Sequence, residues 1–470
     1  MSQRGAGPLR VGIVGCGNIA EAYARDIGRH DELRLTALTD RNLDRATKLA
    51  VAHGGQAVGE LDALIEAVDL VVNLTPPRAH VEVTRRSLEA GRHVYSEKPL
   101  AIESADAHEL VHLARRTRAR LGCAPSTLLG EGQQTAWKAL RDGRAGTIRA
   151  VFAEVNWGSI ERWHPKPAPF YEVGPLVDVG VYPLAIITGC LGPVRRVRSF
   201  GKTLTAERVA IDGTHFAVTT PDFQVTLLEL EDGTVARLTT SYYVGQQSKN
   251  HAALEFHGDE GSVALDHFFK FDAAVEVAKL GDGESYASIP HVRQPEGHVD
   301  WARALVDMAV AIRDDLPHRA TGEHAAHVVD VVCAAAESQD RGGLIIEVTS
   351  RFPQPEQCPG PSPTSTRCHQ EWGEGDMSGR VLTPGELGAL LDPLEAALRP
   401  RQAFRLRVSA AEVNFAFALS NSSSTRRIRR LGVVIRRSGS RRTTTWRSPT
   451  WVRHLPPLIE TSSESRSWRR

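Results

Sequence analysis

The chain predicts an α/β fold: a doubly wound parallel sheet first, then an α+β domain with a large, mostly antiparallel open sheet. Three observations carry that expectation. From Leu9 to Ala124 short apolar strands alternate with helical periods, a rhythm that builds a parallel sheet with crossover helices. Beyond Ala124 strands follow one another with few helices between them, among them Phe223–Glu229 and Val235–Tyr242, joined through the hairpin pair Asp232-Gly233. At 470 residues, with 41% hydrophobic and 24% charged, the chain is too long for one ordinary domain and has an ordinary globular composition. The expected division is 1–124, 125–349 and a tail at 350–470.

The elements follow in order. Arg10–Val14 is a buried strand, and a glycine turn leads into a helix over Asn18–Ile27 with Ile19, Tyr23 and Ile27 on one face. Leu33–Thr39 alternates as a strand. Asp69–Leu74 is a continuous apolar run of the kind a parallel sheet buries on both faces. A helix over His80–Ala90 stops at Gly91. The strand His93–Ser96, a helix over Ala105–Arg116 and the strand Arg120–Cys123 complete the first domain. In the second, Gln134–Leu140 reads as helix, and Ala150–Asn156, His251–Phe256 and Gly261–Ala264 as strands. Amphipathic helices over Val299–Ile312 and His324–Ala335 precede a last strand, Leu344–Val348. Helices on one face leave the other face of this sheet open, which predicts a homodimer or homotetramer.

The turn Gly15-Cys16-Gly17-Asn18-Ile19-Ala20 is G-x-G-x-x-A, with a strand before it, a helix after it and Asp40 ending the next strand. That context makes it a dinucleotide-binding Rossmann turn. Gly15 makes the turn, Gly17 lets the backbone approach a pyrophosphate, and Ala20 is small enough for helix–strand packing. The helix N-terminus, with Asn18 and Ile19, offers free N–H groups to the diphosphate. Asp40 accepts hydrogen bonds from ribose hydroxyls and favours NAD; Arg41 beside it leaves NADP open.

On these residues and those that follow, the chain resembles the glucose–fructose oxidoreductase / inositol dehydrogenase (Gfo/Idh/MocA) family over about residues 9–349. The shared segments are Gly12–Ala20, Thr75-Pro76-Pro77 with His80, Glu97-Lys98-Pro99-Leu100, Ala124–Thr127, Trp163-His164-Pro165 and Gly174–Tyr182. The resemblance implies an NAD(P)-dependent enzyme transferring a hydride to or from a sugar, polyol or related compound. It places Thr75, Pro76, His80 and Glu97 with the cofactor, and Lys98, Asp178 and Tyr182 at the reacting centre. Thr75 and Lys98 also fall at the C-terminal ends of strands, where open α/β sheets bind ligands. Lys98 is expected to polarise the substrate oxygen and to lower the pKa of Tyr182, which exchanges a proton. Asp178, four residues before Tyr182, orients substrate or the catalytic pair. Two rivals stay open: a glycoside hydrolase that recycles NAD, and a non-catalytic NAD-binding regulator.

The net charge of +1 gives no reason to expect nucleic acid or an anionic membrane as partner. Six scattered cysteines have no metal-ligand spacing and read as reduced thiols. Met1–Pro8 is polar and reads as no signal peptide, and the apolar run Val181–Leu191 is too short for a bilayer; the expected location is the cytoplasm. His324 and His327 lack a carboxylate partner, so no metal is expected. The total charge hides an asymmetry: residues 351–470 hold 20 arginines, no lysine and 10 acidic residues, a charge of +10 against −9 for the rest. After a proline-rich join, one helix over Met377–Leu398 is expected, then no ordered core beyond Asn421. The tail reads as atypical sequence rather than a basic arm, so a chain ending near Ser350 is expected to stay active.

Overall fold

The computed structural model describes residues 7–281 and 285–356, and the backbone of three strands between residues 403 and 437. The first half is β1 (Leu9–Val14), α1 (Ala20–Ile27), β2 (Leu33–Thr39), α2 (Leu43–His53), β3 (Gln56–Ala57), α3 (Leu61–Ala67), β4 (Leu70–Asn73), α4 (Pro77–Glu89), β5 (His93–Ser96), α5 (Ser104–Thr117) and β6 (Leu121–Cys123). Its six strands run parallel in the order β3-β2-β1-β4-β5-β6. All four residues of β4 are buried, as a strand covered on both faces requires. The order reverses between β1 and β4, and the crevice there is where such sheets take a ligand.

The second half contains α6 (Glu131–Arg141), β7 (Ile148–Asn156), α7 (Ala168–Pro175), α8 (Val181–Leu191), β8 (Val194–Lys202), β9 (Glu207–Val209), β10 (His215–Ala217), β11 (Phe223–Leu230) and β12 (Val235–Ser241). After these come β13 (Leu254–Gly258), β14 (Gly261–Leu265), β15 (Val275–Lys279), β16 (Ala287–Ile289), α9 (Arg303–Asp314), α10 (Gly322–Asp340) and β17 (Ile346–Glu347). Nine of its strands form one sheet in the order β16-β15-β14-β13-β7-β12-β11-β8-β17, antiparallel except for the β7–β12 pair. The expected hairpin is present: Thr234 N–H donates to Asp232 Oδ1 and Gly233 has φ +87°. One sheet face packs on α6, α8 and α10. The other exposes Phe152, Phe200, Leu227 and Val235.

The division at residue 124 is less clean than the sequence suggests. Leu305 and Met308 of α9 sit in one cluster with Val11, Ile13, Tyr23 and Tyr95 of the parallel sheet. Ala326 and Val329 of α10 pack with Leu110 and Leu121. The chain therefore returns to cover the first sheet, because β4 and β5 need apolar cover that α1–α5 leave incomplete.

Two expectations about the tail need correction. Arg351–Glu356 belongs to the body: Phe352 is 8% exposed, stacked on His324 with centroids 4.3 Å apart, and Arg319 Nε donates to the Glu356 carbonyl. Further on, β18 (Ala403–Val408), β19 (Ala411–Leu419) and β20 (Ile428–Arg437) pair as an antiparallel sheet; the last strand lies beyond Asn421, where no ordered core was expected. The sequence signal is the apolar run Leu431–Ile435 between arginines, which pairs in register with the alternating stretch Val413, Phe415, Phe417. The expected helix Met377–Leu398 lies outside the described residues.

The bilayer expectation also shifts. The run Ala168–Leu191, helical on either side of a break at Gly174 (φ +77°), is long and apolar enough by composition to cross a membrane, and 78% of its most apolar stretch is buried inside the fold.

Candidate active site

The glycine turn has the form its sequence demands. Gly15 has φ +94°, and a Cβ there would stand 2.8 Å from the Leu74 backbone, so no other residue fits without moving β4. A Cβ on Gly17 would meet nothing within 4 Å; that open cradle lies before the N-terminus of α1, which no side chain caps. Free N–H groups beside open space suit a diphosphate. The Asp40 carboxylate is pinned in place: Cys16 N–H donates to Oδ2 and Asn42 N–H to Oδ1, both at 2.8 Å. Arg41 is exposed beside it. The residues present fit a dinucleotide.

The far rim of the crevice comes from the turns after β4 and β5. Thr75 bonds Asn73 Oδ1 through its N–H and hydroxyl, and Pro76 is exposed. His80 differs from expectation: it is buried between the carbonyls of Thr75 and Pro99, each 2.7 Å from a ring nitrogen. Burial pushes its pKa down despite those contacts. It braces two cofactor-side turns from beneath and presents no surface to a ligand. Glu97 is tied back as well, accepting from the Tyr23 hydroxyl at 2.8 Å and from Lys98 N–H.

Lys98, Asp178 and Tyr182 meet, although 80 residues separate the first two in sequence. Lys98 Nζ donates to Asp178 Oδ1 at 2.7 Å and to the Asp178 carbonyl at 2.5 Å. That carbonyl is available for a local reason. Leu176–Gly180 is a π-helical turn, and Pro183, five residues past Asp178, has no N–H to offer it. Nζ also lies 5.5 Å from the centre of the Tyr182 ring. An ammonium has three donors; two are used on Asp178, which leaves one. Burial alone would push the Lys98 pKa down, but Asp178, Tyr182 and Glu97 outweigh it and raise it, so the group stays a cation.

Tyr182 is buried with its hydroxyl free of hydrogen bonds to described residues. Its pKa is raised, not lowered as the sequence reading expected. Burial of the phenolate is the largest cause; Lys98 opposes it, and Glu97 and Asp178 add to it. The lysine charge is already compensated by Asp178, so it cannot carry the phenol down to neutral pH.

Several neighbours escaped the sequence reading. The Tyr242 hydroxyl donates to Asp178 Oδ2 at 2.6 Å. Phe269 meets Tyr182 edge-on at 5.2 Å and lies 6.0 Å from Trp301, which packs on Tyr23. The available signal was weak: Tyr242 follows a strand, and Phe269 stands in a loop. In the aromatic loop before Asp178, Trp163 is exposed, whereas Tyr171 is buried with its hydroxyl on Glu161. A cavity of about 250 Å³ runs beside the Lys98 stem, walled by Pro77, Pro99, Val177, Val181 and Val329. His324 and His327 bond Thr188 and the Val194 N–H, and no metal-holding cluster occurs among the described residues.

Comparison with known proteins agrees with this geometry. Residues 9–124 match the oxidoreductase family with an NAD-binding Rossmann fold, and residues 133–264 match the GFO/IDH/MocA C-terminal domain. The chain belongs to the Gfo/Idh/MocA family. A dTDP-3,4-didehydro-2,6-dideoxy-alpha-D-glucose 3-reductase from Streptomyces antibioticus is 28% identical over 344 residues, covering 70% of this chain and 97% of the relative. A D-glucoside 3-dehydrogenase from Escherichia coli (strain K12) is 28% identical over 275 residues, 55% of this chain and 77% of the relative. Among solved structures, a 3-ketoreductase from Actinomadura kijaniata in complex with TDP-benzene and NADP superposes with TM-score 0.57 at 25% identity, over 70% of this chain and 97% of that one. This Gfo/Idh/MocA member is therefore an NAD(P)-dependent oxidoreductase that moves a hydride between nicotinamide and a sugar, polyol or related hydroxyl or carbonyl compound.

Proposed function

We propose that the enzyme interconverts a secondary alcohol and a ketone at the 3-position of a hexose-type sugar, with Lys98, Asp178 and Tyr182 as the reacting set. The carrying observation is the Lys98 ammonium held on Asp178 by two bonds, with its third N–H unassigned beside the Tyr182 ring. The 3-position is suggested by the reactions named for both relatives above.

The dinucleotide, held by Gly15–Ile19, Asp40, Thr75, Pro76 and Glu97, supplies the hydride acceptor or donor. Lys98 aims its remaining N–H at the substrate oxygen, and its fixed charge stabilises negative charge developing there. Tyr182 as a neutral phenol hydrogen-bonds the same oxygen and gives it a proton during reduction; as the phenolate it takes one during oxidation. Asp178 holds Lys98 in place and keeps it charged. Asp40 favours NAD over NADP, since its carboxylate repels a 2′-phosphate. The open sheet face is covered by a second copy in a homodimer or tetramer. The cytoplasm is the proposed location, in keeping with free thiols at Cys16, Cys123, Cys190 and Cys333.

One experiment tests the chemical reading: glycosides, nucleotide sugars and inositols are screened with NAD(H) and NADP(H), following cofactor absorbance and product together. Lys98→Met should lower turnover beyond detection and Tyr182→Phe by about 10²–10⁴, with NADH binding unchanged within a few-fold. Product formed without net cofactor change identifies the recycling hydrolase; cofactor binding with no turnover identifies the regulator. Tighter binding of NADPH than NADH sinks the role given to Asp40.

A further inference from the structure

The Asp178 carboxylate is engaged from two sides. Oδ1 accepts from Lys98, and Oδ2 accepts from the Tyr242 hydroxyl at 2.6 Å. Tyr242 follows the last residue of β12 and is fully buried. Its backbone is fixed by a hydrogen bond from its N–H to the Asp222 carbonyl. Its ring meets Tyr171 edge-on at 5.2 Å.

Tyr171 is itself held. Its hydroxyl donates to Glu161 at 2.5 Å, and the Arg208 guanidinium lies 4.7 Å from its ring centre. Arg208 then spans Glu161 and Asp222 at 2.7 and 2.6 Å. Asp222 also takes the N–H groups of Leu204 and Thr205. Tyr242 thus projects from a frame of buried, paired charges that reaches no expected cofactor residue. Removing Arg208 would leave the buried Asp222 carboxylate without its ion pair, so this pairing holds the frame in place.

We propose that Tyr242 is a positioning residue for hydride transfer, acting through Asp178. A carboxylate bonded only at Oδ1 can turn about its Cβ–Cγ bond and carry Lys98 Nζ with it. The Tyr242 hydroxyl on Oδ2 stops that rotation, so the one unassigned N–H of Lys98 keeps its direction. The proposal rests on the assignment of Lys98, Asp178 and Tyr182 to the reacting centre.

The test is a double-mutant cycle on the full-length enzyme. Tyr242→Phe keeps the ring and removes the hydroxyl; kcat should fall about 10- to 100-fold, the scale of a misplaced catalytic group. KM and the NADH dissociation constant should move by less than about threefold, because ground-state contacts persist. In Asp178→Asn the same tyrosine change should add nothing, since the carboxylate it steadies is gone. Should Tyr242→Phe fail to fold, Tyr171→Phe carries the test, with a smaller kcat loss that also vanishes on Asp178→Asn. Losses that multiply in the double variant, or a full kcat in Tyr242→Phe while Asp178→Asn is slow, overturn the positioning role alone. A full kcat in Asp178→Asn overturns both that role and the site assignment beneath it.

Discussion

The two large sheets bury themselves in opposite ways. In the parallel sheet, β4 is buried at every residue, covered by α1–α5 and by α9 and α10 returning from the far end of the chain. In the nine-stranded sheet, β11 alternates between buried and more open positions, and Phe200 on neighbouring β8 is 65% exposed. The chemistry divides along the same line. The cofactor side is assembled from short contiguous turns at strand ends, each readable on its own. The proposed substrate side joins Lys98, after β5 of the first half, to Asp178 and Tyr242 of the second, which only folding brings within hydrogen-bond reach. A sheet covered on both faces is complete within one chain, whereas the proposed oligomer would cover the apolar residues on the open face of the other.

The largest expected effect tests that last statement. Phe200→Asp combined with Leu227→Asp places charge on the open face and should convert a dimer or tetramer to monomer by light scattering at micromolar concentration. A wild-type chain that is already monomeric there would remove the contrast between the sheets.

Next in size is the attachment of the segment after β17. Phe352→Ala removes a ring packed on His324 and His327 and should cost about 3–5 kcal/mol in denaturant unfolding, the range for buried phenylalanine. A chain ended after Ser350 should lose at least as much, while one ended after Glu356 keeps the contact. Unchanged stability on ending at Ser350 would restore the simpler boundary read from composition.

The smallest effect is a pH slope. Tyr182 has its pKa raised above the ordinary phenol value of about 10, so the phenol stays protonated through neutral pH. Reduction, which uses that proton, should be flat there. Oxidation, which needs the deprotonated form, should rise about tenfold per pH unit from about pH 7 to 9, and Tyr182→Phe should abolish the slope. A plateau in oxidation near neutrality would show the phenol pKa lowered by Lys98 after all.

Much of the cofactor half was legible because its signals are local. Gly15 answers to a backbone angle, Gly17 to an approach of main chain, and Asp40 to the end of the next strand. The helix α2, the two-residue strand β3 and the seven-residue helix α3 went unread; the last two are too short to set up a clear period. His80 matched a family motif, yet its motif position said nothing about which way it points. It is buried between two carbonyls instead of facing the crevice. On the substrate side, Lys98, Asp178 and Tyr182 were named from motifs, but the state of the phenol was not.

By itself the sequence determined the parallel alternation, the glycine turn and the hairpin at Asp232-Gly233. Each depends on neighbours in the chain, through backbone sterics or periodic burial. Only the tertiary structure decided that α9 closes the first sheet, that Phe352 belongs to the body and that the Tyr242 hydroxyl bonds Asp178. It also decided that burial overrides Lys98 in raising Tyr182. Desolvation and long-range hydrogen bonds are properties of the space around a group, and residues distant in sequence fill that space.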